Sequence, residues 1–166
     1  MNLIRHVEDQ CWEVLAQVSD PEIPVLSVLD LGMIRGVEIN PQDEIIVRLT
    51  PTYSGCPATD LLKAEITQAF AAHELTPVKV VVDLSEAWTT DWMSEEGKQK
   101  LQQYGIAPPK GGSNSCGTHV ALSDGIQCPH CHSHHTRLLS EFSSTACKAL
   151  YKCQECLEPF DYFKCI

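Results

Sequence analysis

Two sets of cysteines could carry chemistry in this chain. Cys128-Pro129-His130-Cys131 and Cys153-Gln154-Glu155-Cys156 are CxxC knuckles with 21 residues between them. Each knuckle sets two thiolates on one cation, and two knuckles make the closed tetrahedral four-thiolate site of structural zinc. Iron or an iron–sulfur cluster suits the same four sulfurs. The second candidate is Cys56, within Thr50-Pro51-Thr52-Tyr53-Ser54-Gly55-Cys56-Pro57. Pro57 fits the first position of a helix, where a missing N–H costs nothing. Cys56 then stands at or near the N-cap, where the helix dipole and free N–H groups favour a thiolate. The competing reading makes Cys56 a small buried residue filling the turn, since free cysteine is among the most buried residue types.

The elements that must position these sulfurs follow from periodicity. Ile45 to Leu49, within Glu44 to Thr50, reads as a strand. Ala58 to His73 reads as a helix with Ala58, Leu61, Leu62, Ile66, Ala69 and Phe70 on one face. Val78, Val80, Val82 and Leu84 alternate with Lys79, Val81 and Asp83 as a half-buried strand. Strand, helix, strand predicts a right-handed crossover and a parallel pair. Upstream, Leu3 to Val18 is an amphipathic helix with Cys11 on its apolar stripe. Pro21 ends it, and after a loop Met33 to Ile39 forms a strand that turns at Asn40-Pro41-Gln42-Asp43. The expected first domain is therefore a small α+β or α/β layer structure with about three strands.

Trp88, Trp92 and Met93 are expected to cap a sheet edge or core. Ser94 and Gly105 bracket a short helix, Glu95 to Tyr104. Composition divides the chain into a domain over 1–105, a Pro/Gly/Ser linker over 106–124, and a module over 125–166. A module of roughly 40 residues seldom stands on its apolar core alone, so a metal is physically expected there. Its expected strands are Thr136 to Phe142, Cys147 to Lys152 and Phe160 to Cys165, which makes it a β-rich ribbon. His130, His132, His134 and His135 crowd the first knuckle and are expected to be solvated turn residues. Cys147 and Cys165 are either ribbon core or labile thiols. Cys116 and His119 lie alone in the linker region and carry little weight.

Composition excludes some roles. The chain has 166 residues, nine cysteines and a net charge of −10. Residues 1–127 hold 8 Lys and Arg against 18 Asp and Glu, and residues 128–166 hold 4 of each. Neither part is basic, so nucleic-acid binding has no electrostatic support. No apolar run reaches membrane-spanning length and the N-terminus lacks the regions of a signal peptide, so a cytoplasmic protein is expected. In a reducing compartment many cysteines point to metal or reactive thiols rather than disulfides.

Asp20-Pro21-Glu22, Val28-Leu29-Asp30-Leu31-Gly32, and Thr50 followed by Gly55-Cys56-Pro57 resemble the small iron–sulfur assembly proteins known as domain of unknown function 59. The resemblance covers roughly residues 1 to 90. Two further runs, Ser140 to Tyr151 and Glu158 to Cys165, extend it over the whole chain. With them the chain resembles the D subunits of the bacterial phenylacetyl-CoA 1,2-epoxidase system, which join that domain to a zinc ribbon. This resemblance implies an accessory role in phenylacetate breakdown, assisting maturation of metal centres rather than oxidising substrate. The alternative it leaves is a structural or regulatory subunit that binds partners through the ribbon. The partners it implies are the di-iron oxygenase subunit and the reductase with its 2Fe–2S cluster and flavin. By the same resemblance Cys56 would be a transient ligand for iron or an iron–sulfur cluster, with Asp20, Glu22 and Thr50 as supporting residues. Zinc would sit on Cys128, Cys131, Cys153 and Cys156. The chain itself lacks the Glu and Glu-x-x-His sets of a di-iron carboxylate site and a dinucleotide-binding glycine fingerprint.

Overall fold

The structure, a computed structural model, describes residues 2–109 and 125–165. It divides into two compact units, Met1–Trp88 and Thr89–Ile166. In the first, helix α1 (Asn2–Leu15) is followed by strands β1 (Ile34–Ile39) and β2 (Ile45–Leu49), helix α2 (Ala58–Ala72) and strand β3 (Val78–Val82). The sheet order is β1-β2-β3. β1 and β2 pair antiparallel, while β2 and β3 pair parallel with Ile45 opposite Val78 and Leu49 opposite Val82. The expected sheet of about three strands, with a parallel pair joined through a β–α–β crossover, is thus present, and β1 makes it mixed.

The pleat explains which face is covered. Ile45, Val47 and Leu49 are buried, whereas Ile46 and Arg48 between them are half-buried. α2 meets that sheet with Ala58, Leu62, Ile66 and Phe70, one residue per turn. Leu61 is not part of the stripe: it is 49% exposed. Its helical angle admits it to a broad apolar face, but the sheet is narrow and one ridge of α2 fills it. α1 adds Cys11, Val14 and Leu15 to the core. It ends at Leu15 rather than Val18, although the Val18 side chain stays buried.

The segment from Asp20 to Gly32, expected only as a loop, supplies much of the core with Met33, the expected first residue of a strand that begins at Ile34. Ile23, Leu26, Val28, Leu31 and Met33 are all buried. Two carboxylates shape it. Asp20 Oδ1 accepts from the N–H groups of Glu22 and Ile23, and Asp30 Oδ2 accepts from the N–H and hydroxyl of Ser27. Trp88 closes this side by donating from Nε1 to the Leu31 carbonyl at 2.8 Å.

The second unit begins with a 3-10 turn (Thr90–Trp92), followed by helix α3 (Glu95–Tyr104) and strands β4 (Ile106–Ala107), β5 (Thr136–Ser140), β6 (Lys148–Cys153) and β7 (Pro159–Phe163). α3 has the bounds its caps predict. Ser94 Oγ accepts from Gly97 N–H at 2.9 Å, and Gly105 takes a left-handed φ of 89° at the other end. Composition assigned α3 to the first domain and Ile106–Ala107 to a linker. Both lie in the second compact unit, where β4 adds in parallel to β7 and the sheet order is β4-β7-β6-β5. The aromatic region is likewise divided: Trp88 is core of the first unit, and Met93 is buried in the second. Ala107, Ile126, Ala149, Phe160 and Tyr162 pack with Cys128 and Cys153, and Tyr151 stacks on Phe160. Cys116, His119 and most of the expected linker lie outside the described residues.

Candidate metal centre

The four knuckle cysteines converge. Their sulfurs all lie within 4.8 Å of one another, with Cys128 Sγ 3.7 Å from Cys156 Sγ and Cys131 Sγ 3.5 Å from Cys153 Sγ. A tetrahedral site with metal–sulfur bonds of about 2.3 Å has sulfur–sulfur edges of about 3.8 Å, so this donor set fits a closed four-thiolate ion. Each knuckle is a tight turn set by main-chain bonds. His132 N–H donates to Cys128 O, and His132 takes a left-handed φ of 61°. Glu155 N–H donates to Cys153 Sγ at 3.4 Å. The ladder brings the knuckles together, because Thr136, just after the first, is opposite Cys153 at the start of the second.

Electrostatics in this cluster are uneven. For Cys153, burial opposes ionisation. The N–H groups of Cys156 and Glu155, with the thiols of Cys131 and Cys156, outweigh it and bring the group down to about 6. For Cys156, the Glu158 N–H favours the thiolate. Burial and the sulfurs of Cys131, Cys153 and Cys128 prevail and push it up to about 12. Four close sulfurs cannot all ionise without a cation, and a divalent ion removes that conflict.

The histidines brace the knuckles. His134 Nδ1 lies 3.1 Å from Gly125 O, and His135 Nδ1 lies 3.1 Å from Glu155 Oε1, linking the two knuckles. His130 packs against Gly105, where an added Cβ would stand 3.3 Å from its Cε1. Gly125 belongs to no motif in the sequence, yet a Cβ there would fall 2.0 Å from the His134 carbonyl oxygen. Only its place shortly before Cys128 could have hinted at this. Gly125→Ala should therefore force backbone apart at the first knuckle and destabilise the second unit by about 3 kcal/mol or more. Metal-competition titration with a chromogenic chelator checks it, and wild-type affinity would refute the claim.

Cys56 has a different setting. The turn leaves β2, Thr50 N–H donates to Met33 O at 2.7 Å, and Thr50 Oγ1 donates to Asp83 O at 2.9 Å. Thr50 thus ties the end of β2 to both neighbouring strands. Gly55 takes a left-handed φ of 82°, and Cys56 N–H donates to Tyr53 O. The N-cap of α2 is Pro57, so Cys56 stands near the helix start, one residue before the cap, and no side chain caps that end. Cys56 is free but only 8% exposed, beneath the exposed Ser54, Gly55 and Pro57. Among the described residues, the four knuckle cysteines are the only group of three or more Cys, His, Asp and Glu side chains close enough to hold one ion. Cys56 therefore shares no preformed site with Asp20 and Glu22, and Asp20 spends one oxygen on shaping its own turn.

The remaining described cysteines have structural settings. Cys11 is fully buried, and burial followed by the nearby Glu8 pushes its thiol up. Cys147 is buried with Thr145 Oγ1 at 3.1 Å. Cys165, expected as a core residue or labile thiol, is disulfide-bonded and lies 3.5 Å from Thr90 Oγ1.

Comparison with known proteins agrees with this layout. Over 157 residues the chain is 52% identical to a protein of Escherichia coli (strain K12) named for the D subunit of 1,2-phenylacetyl-CoA epoxidase, covering 95% of this chain and 92% of the relative. The chain belongs to that D-subunit family. In this family member, residues 8–82 match the family described as iron-sulfur cluster assembly protein, and residues 112–164 match the PaaD zinc beta ribbon domain. It is also 32% identical over 101 residues to an Fe-S protein maturation auxiliary factor of Porphyromonas gingivalis, covering 60% of this chain and 95% of that one. A crystal structure of a domain of unknown function 59 protein from Bacillus anthracis covers 58% of this chain and 92% of its own, with a TM-score of 0.54 and 22% identity. That likeness concerns the fold. Among the described residues, no helix of this D-subunit family member is long and apolar enough to cross a membrane.

Proposed function

We propose that this chain is an accessory component of the phenylacetyl-CoA epoxidase system that assists insertion of iron or an iron–sulfur cluster into the di-iron oxygenase or the 2Fe–2S reductase. The observation that carries this reading is the pairing, in one chain, of a D-subunit-type ribbon with a first unit related to iron–sulfur maturation factors. Cys56 is the candidate transient ligand for the cargo. Its burial under an exposed turn suits a thiol that must meet metal only when a client or donor displaces Ser54 and Gly55. Cys128, Cys131, Cys153 and Cys156 hold a resident zinc ion, which closes the second unit and leaves no open coordination position. Asp20, Glu22 and Thr50 shape and hold the first unit.

The test is metal content. Oxygenase and reductase components produced without this chain should be present but poorly loaded, with less iron in the first and weaker cluster absorbance in the second. Full loading of both without the chain would favour a fixed structural subunit instead, which would copurify in constant ratio.

A further inference from the structure

Strand β5 forms one edge of the second sheet, with only β6 beside it. Four of its five residues are exposed and the first is half-buried. Leu138 is 46% exposed, Leu139 44%, and Phe142, just beyond, 62%. Single exposed leucines need no explanation, but here the β5–β6 register shifts between Leu138 and Ser140, and three large apolar side chains within five residues form a strip along both faces of one edge.

Cations surround the strip. Arg137 is directly opposite Lys152 across the β5–β6 ladder. Like charges in that position cost stability. Neither has a carboxylate within ion-pair distance among the described residues. Side chains alternate across a strand, so both leave the sheet on the face opposite to Cys153 and do not serve as counter-ions inside the thiolate cluster. At the far end, Lys164 Nζ stands 4.3 Å from the centre of the Phe142 ring and donates to Glu141 O. That bond uses the carbonyl of Glu141 rather than a carboxylate. Lys148, buried nearby, differs in having a carboxylate partner, Asp161 at 3.2 Å.

We propose that the β5 edge docks a protein partner that presents carboxylates around an apolar strip. An apolar centre with a charged rim is the usual anatomy of a non-obligate interface, and the rim sets partner choice and encounter rate. The occupant is not a second copy, because a second β5 edge brings its own Arg137 and Lys152, cations where this rim calls for carboxylates. It is not nucleic acid either: residues 128–166 hold 4 Lys and Arg against 4 Asp and Glu, so the module lacks the basic surplus that a polyanion needs. This surface deepens the accessory role proposed above and rests on it, by naming where a client docks and the chemistry that client must carry.

Arg137→Glu separates docking from folding. It places a carboxylate opposite Lys152 and turns a repulsive cross-strand pair attractive, so the metal-loaded full chain should hold or raise its melting temperature. Docking should weaken by about tenfold or more at low salt, since like charges now meet across the interface. Lys152→Glu should behave the same way. Titration calorimetry of the full-length protein against the purified oxygenase component and, separately, the purified reductase component reads this out. Wild-type binding that both variants retain undiminished would overturn the surface and leave the accessory reading standing. Failure of the wild type to bind either component would overturn both. Tighter wild-type binding to a single-stranded RNA oligomer than to either component would overturn the protein partner.

Discussion

Cys131→Ala yields a protein with little or no bound zinc and a second unit that no longer unfolds cooperatively. Wild type should carry about one ion per chain. Structural zinc in such sites contributes about 10–16 kcal/mol at neutral pH, so an equal share for one of four thiolates is about 2.5–4 kcal/mol. A module of this size has little stability to spare. Cys131 is the informative ligand because it is exposed, whereas Cys128 and Cys153 are fully buried and belong to the apolar cluster. Removing the Cys131 sulfur takes away ligation with little packing. The double variant Cys128→Ala/Cys153→Ala takes away both and should bind no zinc at all. α3 and β4 belong to the same compact unit, so their amides should lose exchange protection along with β5, β6 and β7. The first unit has its own core from Leu15 to Phe70 and should keep its transition. Plasma emission spectrometry and hydrogen exchange provide the readouts. Full zinc occupancy in the double variant would refute the four-thiolate assignment.

Cys56→Ser should abolish the ability of this chain to support phenylacetate growth in a deletion strain, while leaving fold and zinc content unchanged. Serine matches the shape of cysteine closely, so the buried turn loses little packing. The chemistry changes much more: a thiolate ligates soft metal ions and an alcohol does not. The expected contrast is near-complete loss of function against a melting-temperature shift of a few degrees, or about 1 kcal/mol for one polar atom placed in a buried turn. Cys56→Ala serves as the companion variant, because it removes the ligand without burying a hydroxyl. If both variants fold and both restore growth, Cys56 is a packing residue and the maturation reading loses its candidate ligand. Iron measured in the epoxidase components of the same strains ties the growth phenotype to metallation.

Local chemistry made part of this protein legible. The CxxC spacing names four ligands because two thiolates three residues apart fit one ion in almost any knuckle. Ser94 and Gly105 delimit α3 because a cap depends only on atoms within one turn. The β–α–β order of the first unit follows from a change of apolar period between Ile45 and Val82, and the ladder observed there is the parallel one this implies. Other features depend on what each element meets. Leu61 belongs to an apolar face by angle, and only the width of the sheet leaves it outside. α3 and Ile106–Ala107 read as part of the first domain and a linker, because composition cannot show that β4 finds an edge at β7. Gly55-Cys56-Pro57 reads as a helix start with Cys56 at or near the N-cap, or as a turn filled by a small buried residue. The structure sets Pro57 at the cap and Cys56 just before it and buried, and only contacts with distant segments decide between exposure and burial there. Arg137 and Lys152 look unremarkable in the sequence, and only the β5–β6 register makes them face each other. Residue types and short spacings determine which atoms can ligate or cap. Burial, strand neighbours and charge pairing are set by contacts between distant segments, and no local pattern encodes those.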